Sequence, residues 1–183
     1  MNCLKFLCFF LLFWANSVFA ASYTQLQNEC AQKMADNPPQ ITVEYRFGEL
    51  KIDASKNVEE LTALARKINP KAKTEANMQG LTGLKFATTL NIETLAEEIG
   101  ANDVCIIPQT VHLQLYYENP TIYLVNTLQP QTCRYNLVLR HEYTHLDIGH
   151  TALLELAPRL KQRLTEVIAE RGSKVVLKSI YMQ

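Results

Sequence analysis

Neither sign of charge predominates in this chain of 183 residues, where 18 Lys and Arg stand against 18 Asp and Glu. That balance excludes a polybasic nucleic-acid binder, whose affinity rests on clustered cations. No segment recurs at a fixed period of about 20 to 50 residues, which argues against a repeat architecture. No apolar run reaches the roughly 20 residues that a membrane-spanning helix needs. What remains is 48% hydrophobic and 20% charged residues, too apolar and too weakly charged for disorder. The length suits one domain able to bury an ordinary core.

The N-terminus sets the expected compartment. Lys5 supplies a short positive region, Phe6 to Ala15 is an unbroken apolar run of ten, and Val18-Phe19-Ala20 offers small residues at the −3 and −1 positions. This is the pattern of a cleavable signal peptide, with cleavage after Ala20 and a mature domain over 21–183. A periplasmic or secreted location follows, with no membrane anchor left after cleavage. No Cys follows the cut, so a lipoprotein is not expected. The mature chain would carry 17 basic and 18 acidic residues, a formal charge of −1.

Three cysteines then remain, Cys30, Cys105 and Cys133, in an oxidising compartment that permits one disulfide and one leftover thiol. Of three possible pairings, Cys105–Cys133 is favoured, joining a strand-like stretch to the start of the most informative helix. Closing that loop of about 28 residues contributes about 3.5 kcal/mol in the chain-entropy picture.

Leu26, Cys30 and Met34 recur every four residues, predicting an amphipathic helix over 23–36 that Asn37-Pro38-Pro39 ends. Ile41 to Phe47 alternates as a strand, with Leu50 to Ile52 as its hairpin partner. Ser55 is a candidate N-cap for a helix with Val58, Leu61, Leu64, Ala65 and Ile68 on one face. Leu84 to Ile92 reads as a strand. Val111 to Tyr117 and Thr121 to Thr127 read as a second hairpin turning at Glu118-Asn119-Pro120. Thr132 can cap a long helical region reaching Ala169, with Gly149 and Pro158 as kinks or breaks and Gly172 as a C-cap. Strands early and long helices late give an α+β class.

Three of the four histidines fall within ten residues, at His141, His145 and His150. The run His141-Glu142-Tyr143-Thr144-His145 has the form H-E-x-x-H. On a helix, positions i and i+4 share a face, so both imidazoles can reach one Zn²⁺. Glu142 sits about 100° round the helix, where its carboxylate can accept a proton from a zinc-activated water. One turn thus supplies two metal ligands and a catalytic base. Leu137, Val138, Ile148 and Ala152 share the arc of the two histidines, which predicts that this face is inward and desolvated.

On this motif the sequence resembles the zincin metallopeptidases. More narrowly, it is similar to bacterial secreted proteins described as predicted zinc-dependent proteases. Besides the motif, Thr121-Ile122-Tyr123, Thr132-Cys133-Arg134-Tyr135 and the flanking Val138-Leu139-Arg140 and Leu146-Asp147-Ile148 carry that similarity, over about residues 104 to 160. The resemblance implies a zincin-like α+β fold with a small antiparallel or mixed sheet, an active-site helix and long C-terminal helices. It also implies export and peptidase activity on a peptide or protein substrate.

A catalytic zinc takes three protein ligands and keeps one position for water. His150 is the first candidate for the third, provided the helix breaks at Gly149; the longer metzincin pattern does not fit, because Gly149 and His150 are both displaced from it. Glu166 follows, then Asp147, Glu155, Glu170 and His112. Tyr117, Tyr123, Tyr135, Tyr143 and Arg140 are candidates by type for stabilising an oxyanion. Two other readings stay open: a zinc amidase acting on cell-wall peptides, and a non-catalytic periplasmic zinc module.

Overall fold

The computed structural model describes residues 22–71 and 78–182, so the expected leader at 1–20 lies outside the described residues. The chain is α+β, with a mixed five-stranded sheet. Helix α1 covers 22–36 and is followed by strands β1 (Gln40–Phe47) and β2 (Lys51–Lys56), then helix α2 (Val58–Ile68). Two long strands, β3 (Gly80–Ile99) and β4 (Asp103–Val125), precede helix α3 (Cys133–Arg171), strand β5 (Lys174–Leu177) and the short helix α4 (Lys178–Tyr181). Every other strand pairs with β4.

Local chemistry explains most of these boundaries. Asn57, not Ser55, caps α2: its side chain accepts from the Glu60 N–H at 2.8 Å, while the Glu60 carboxylate accepts from the Asn57 N–H at 2.9 Å. Ser55 instead donates its N–H and hydroxyl to Asp53, a local turn that competes with capping. Thr132 does cap α3, accepting from the Tyr135 N–H at 3.2 Å. The helix then runs on through both Gly149 and Pro158, so neither of these candidate kinks or breaks ends it.

Both expected hairpins are replaced. β1 and β2 each pair with β4 rather than with one another, and β2 lies parallel to it, Lys51 opposite Thr121 and Ile52 opposite Ile122. The Glu118-Asn119-Pro120 run does not reverse the chain. Asn119 alone takes a left-handed φ of 42° inside a continuous β4. β4 instead forms its hairpin with β3 through the three residues Gly100-Ala101-Asn102, a connection that only antiparallel neighbours permit. Gly100 supplies the φ of 63° that this turn requires.

The residues group into two compact units. Of the described residues, one unit comprises those up to Thr42, Asn91–His112 and those from Gln162. Its core joins Cys30, Met34, Ile99, Cys105, Ile107 and Val175. The disulfide is Cys30–Cys105, not Cys105–Cys133, and Cys133 is an exposed free thiol. The reason is the amphipathic face of α1, which buries Cys30 completely beside Cys105, whereas Cys133 opens α3 at the surface. The other unit comprises Val43–Leu90 and Leu113–Lys161. There β4 packs Ile122, Leu124 and Val125 against Leu146 of α3, and Leu115 packs with Leu153 and Ala157.

Candidate metal centre

The His141–His145 turn lies in the second unit, and the direction its helix faces differs from the expected one. The inward stripe of α3 there is Glu142, Leu146, Gly149, Leu153 and Ala157. His141 and His145 are exposed, and so are Leu137 at 57% and Ile148 at 61%, the residues expected to bury that arc. The cause is the close approach of β3. A Cβ on Gly80 would stand 2.5 Å from Glu142 Oε1 and 2.8 Å from Val138, and one on Gly149 would stand 2.6 Å from Leu84. Glycine at both places lets helix and strand meet along the Glu142–Gly149 line, and the histidines fall on the flank beside it.

The two imidazoles converge even so. Their Nε2 atoms are 3.2 Å apart, with the rings edge to face at 90°. Two nitrogens bound to tetrahedral zinc at 2.0–2.1 Å sit about 3.3–3.4 Å from one another. The pair therefore fits a shared cation with a shift of about 0.1–0.2 Å. The same distance also suits an Nε2–H···Nε2 hydrogen bond between the two rings.

Among the described residues Glu142 is the one buried polar or charged side chain, at 4% exposure. The Thr82 hydroxyl donates to its Oε2 at 2.7 Å and also approaches its main-chain carbonyl at 3.0 Å. Oε1 lies against Gly80. One carboxylate oxygen is thus anchored by β3, and the other faces the space that a side chain at position 80 would fill. Nothing in the local sequence signals Thr82 or Gly80, which meet Glu142 across about 60 residues of chain.

The remaining candidates are placed elsewhere. His150 lies on roughly the opposite side of α3 from the pair. There its ring packs edge-on to Phe47 with centroids 5.1 Å apart and beside Tyr45 at 6.1 Å. Asp147 and Tyr143 share that side. Glu155 is exposed farther along the helix. His112, Glu166 and Glu170 belong to the other unit, where Arg163 and Gln162 hold the Glu166 carboxylate and keep it below the usual carboxylate range. Among the described residues, no third His, Cys, Asp or Glu joins the pair. Tyr117 packs between Phe47 and Phe86, Tyr123 lies under Lys56, and Tyr135 packs on the core beside Leu146. Arg140 is exposed on α3.

Compared with known proteins, the chain matches no family model, no curated protein and no solved structure.

Proposed function

We propose that this protein is an exported zinc-dependent peptidase of the zincin type, with His141 and His145 as two of the metal ligands and Glu142 as general base. The observation that carries the proposal is the 3.2 Å approach of the two Nε2 atoms, next in sequence to a buried carboxylate anchored at one oxygen. Bound between the imidazoles, zinc would supply Lewis acidity, making a water nucleophilic near neutral pH and polarising the scissile carbonyl. Glu142 takes the proton of the attacking water at Oε1, the oxygen that Thr82 leaves free, and returns it to the departing amine. Thr82 fixes the carboxylate rotamer, so that little orientation is lost when the proton moves. The leader-like N-terminus and a disulfide between two fully buried cysteines support export, because such bonds persist in oxidising compartments.

The burial of Glu142 also favours a second reading, in which the carboxylate is a structural anchor and the histidine pair binds zinc without catalysis. Three variants separate the two. His141→Ala and His145→Ala should each abolish stoichiometric zinc binding. Glu142→Gln should keep zinc and thermal stability while hydrolysis of an unstructured protein falls at least about 100-fold. If either histidine variant keeps wild-type zinc affinity, the pair is no metal site. If zinc-loaded wild type cuts no peptide or amide substrate, the non-catalytic reading replaces the peptidase.

A further inference from the structure

On the side of α3 away from the histidine pair lies a cleft of about 440 Å³. We infer that this cleft is a binding site for a basic side chain, lysine or arginine, presented by a partner polypeptide. The inference is independent of the peptidase reading, since neither His141, Glu142 nor His145 lines the cleft.

Helix and strand periodicity build the site. Tyr143, Asp147 and His150 follow one another at four and three residues, so they share one helix side. Tyr45 and Phe47 alternate with Arg46 along β1, so their rings share one strand face and Arg46 takes the other. There the Arg46 guanidinium lies over the Tyr116 ring, 4.9 Å from its centroid. Gly48 fixes the end of this wall. Its N–H donates to the Tyr117 carbonyl at 2.9 Å, and a Cβ there would meet the Asn119 nitrogen at 2.6 Å. Arg46 also borders the cleft, its guanidinium held over Tyr116, and Leu50, Pro120 and Leu146 complete the lining with apolar surface.

Three features of this lining select a cation. The rings are inclined rather than stacked, His150 to Phe47 at 71° and His150 to Tyr45 at 51°. Inclined rings make a concave aromatic wall, and aromatic faces attract ammonium and guanidinium groups. Tyr45 and Tyr143 remain 40% and 39% exposed, so ring surface is open to a guest. Asp147 brings a carboxylate that forms no ion pair or hydrogen bond with any described residue. An apolar guest offers that carboxylate no partner, and an anionic guest is repelled by it. A lysine or arginine satisfies both demands, its alkyl stem on the apolar lining and its charge between carboxylate and rings.

The test titrates the isotopically labelled protein with the blocked tripeptide Ala-Lys-Ala, and separately with the isosteric norleucine and phenylalanine peptides, following backbone NMR shifts. The lysine peptide should shift the amides of Tyr143, Asp147 and His150 saturably. It should bind at least about threefold more tightly than the norleucine peptide, the sum expected of an exposed ion pair and a cation–π contact. Asp147→Asn should remove that preference, and Tyr143→Leu should weaken lysine binding about two- to fivefold. Asp147 is exposed on the helix, and Asn matches its shape, so the fold should survive. Equal binding of the norleucine peptide, tighter binding of the phenylalanine peptide, or an unchanged preference in Asp147→Asn would each overturn the proposal. So would the absence of saturable shifts up to about 100 mM, well beyond the millimolar range expected of weak contacts. Shifts at these amides that follow protein concentration alone would mean that a second copy of the chain occupies the cleft, with the same consequence.

Discussion

Replacing Thr82 with Val tests the anchoring of Glu142 without touching a histidine. Valine keeps the branched shape and removes one hydroxyl, which donates to Oε2 at 2.7 Å. Glu142 is only 4% exposed, so water cannot readily take the place of that donor. Hydrogen bonds to charged groups contribute about 1.5–3 kcal/mol, and an orphaned buried acceptor forfeits the upper part of that range. For a chain of this size such a loss lowers Tm by about 3–12 °C. The decisive measurement is a double-mutant cycle with Glu142→Met, read by denaturant unfolding. Replacing both polar partners with apolar groups is close to neutral, so Thr82→Val should cost far less in the Glu142→Met background than alone. The coupling should exceed about 1 kcal/mol, while zinc affinity stays at the wild-type value in Thr82→Val. Equal costs in the two backgrounds would show that the hydroxyl does not hold the carboxylate, and the proton-transfer geometry proposed above would lose its support.

Three further outcomes follow from the same structure. Cys30→Ser opens a loop of 75 residues, worth about 4.5 kcal/mol in the chain-entropy picture, and should lower the urea midpoint sharply; Cys133→Ser should leave it unchanged, and the reverse result would reinstate the other pairing. Gly48→Ala places a Cβ 2.6 Å from a backbone nitrogen that cannot swing aside, so it should destabilise by about 1–3 kcal/mol. Gly83→Ala meets the edge of the Tyr123 ring at 3.3 Å and the Thr121 carbonyl at an ordinary 3.6 Å, and should be milder in the same melt. Asp53 is held below the ordinary carboxylate range by the Ser55 hydroxyl, then by the Ser55 N–H, with Lys56 adding attraction. A depressed native pKa means that its contribution is present above about pH 4 and is lost as pH falls through the native value. Asp53→Asn should therefore lower Tm slightly at pH 7 and progressively less toward pH 2.

The motif and the elements around it were legible because they are local. The four-residue spacing of Leu26, Cys30 and Met34, the Thr132 cap and the H-E-x-x-H turn each depend on neighbours within one or two helical turns. What failed depended on contacts far along the chain. Leu137 and Ile148 are as apolar as Leu146 and Leu153, so hydrophobicity alone does not choose which side of a 39-residue helix turns inward. Gly80, Thr82 and Leu84 choose it, by lying against Glu142 and Gly149. The stripe Leu146, Gly149, Leu153, Ala157 was nevertheless present as a helical period, with small residues where a strand can come close. The false hairpin at Glu118-Asn119-Pro120 has a similar origin. Turn chemistry permits a reversal, but one left-handed residue followed by a fully buried Pro120 bends a strand without ending it.

The composition of the first unit bears on how fast the chain folds. It draws on three stretches separated by long intervals, and its core waits for Val175 in β5, which follows the whole of α3. β5 pairs with residues Asp103 to Ile106, about 70 positions upstream. Contacts of such sequence separation raise the contact order and slow folding, because the chain must close large loops before the contacts that reward closure exist. A nascent chain that lacks β5 therefore has no route to a finished core in this unit. Under the export proposed above, that delay would keep the polypeptide threadable until β5 has crossed, and the Cys30–Cys105 bond would then fix a fold that forms late.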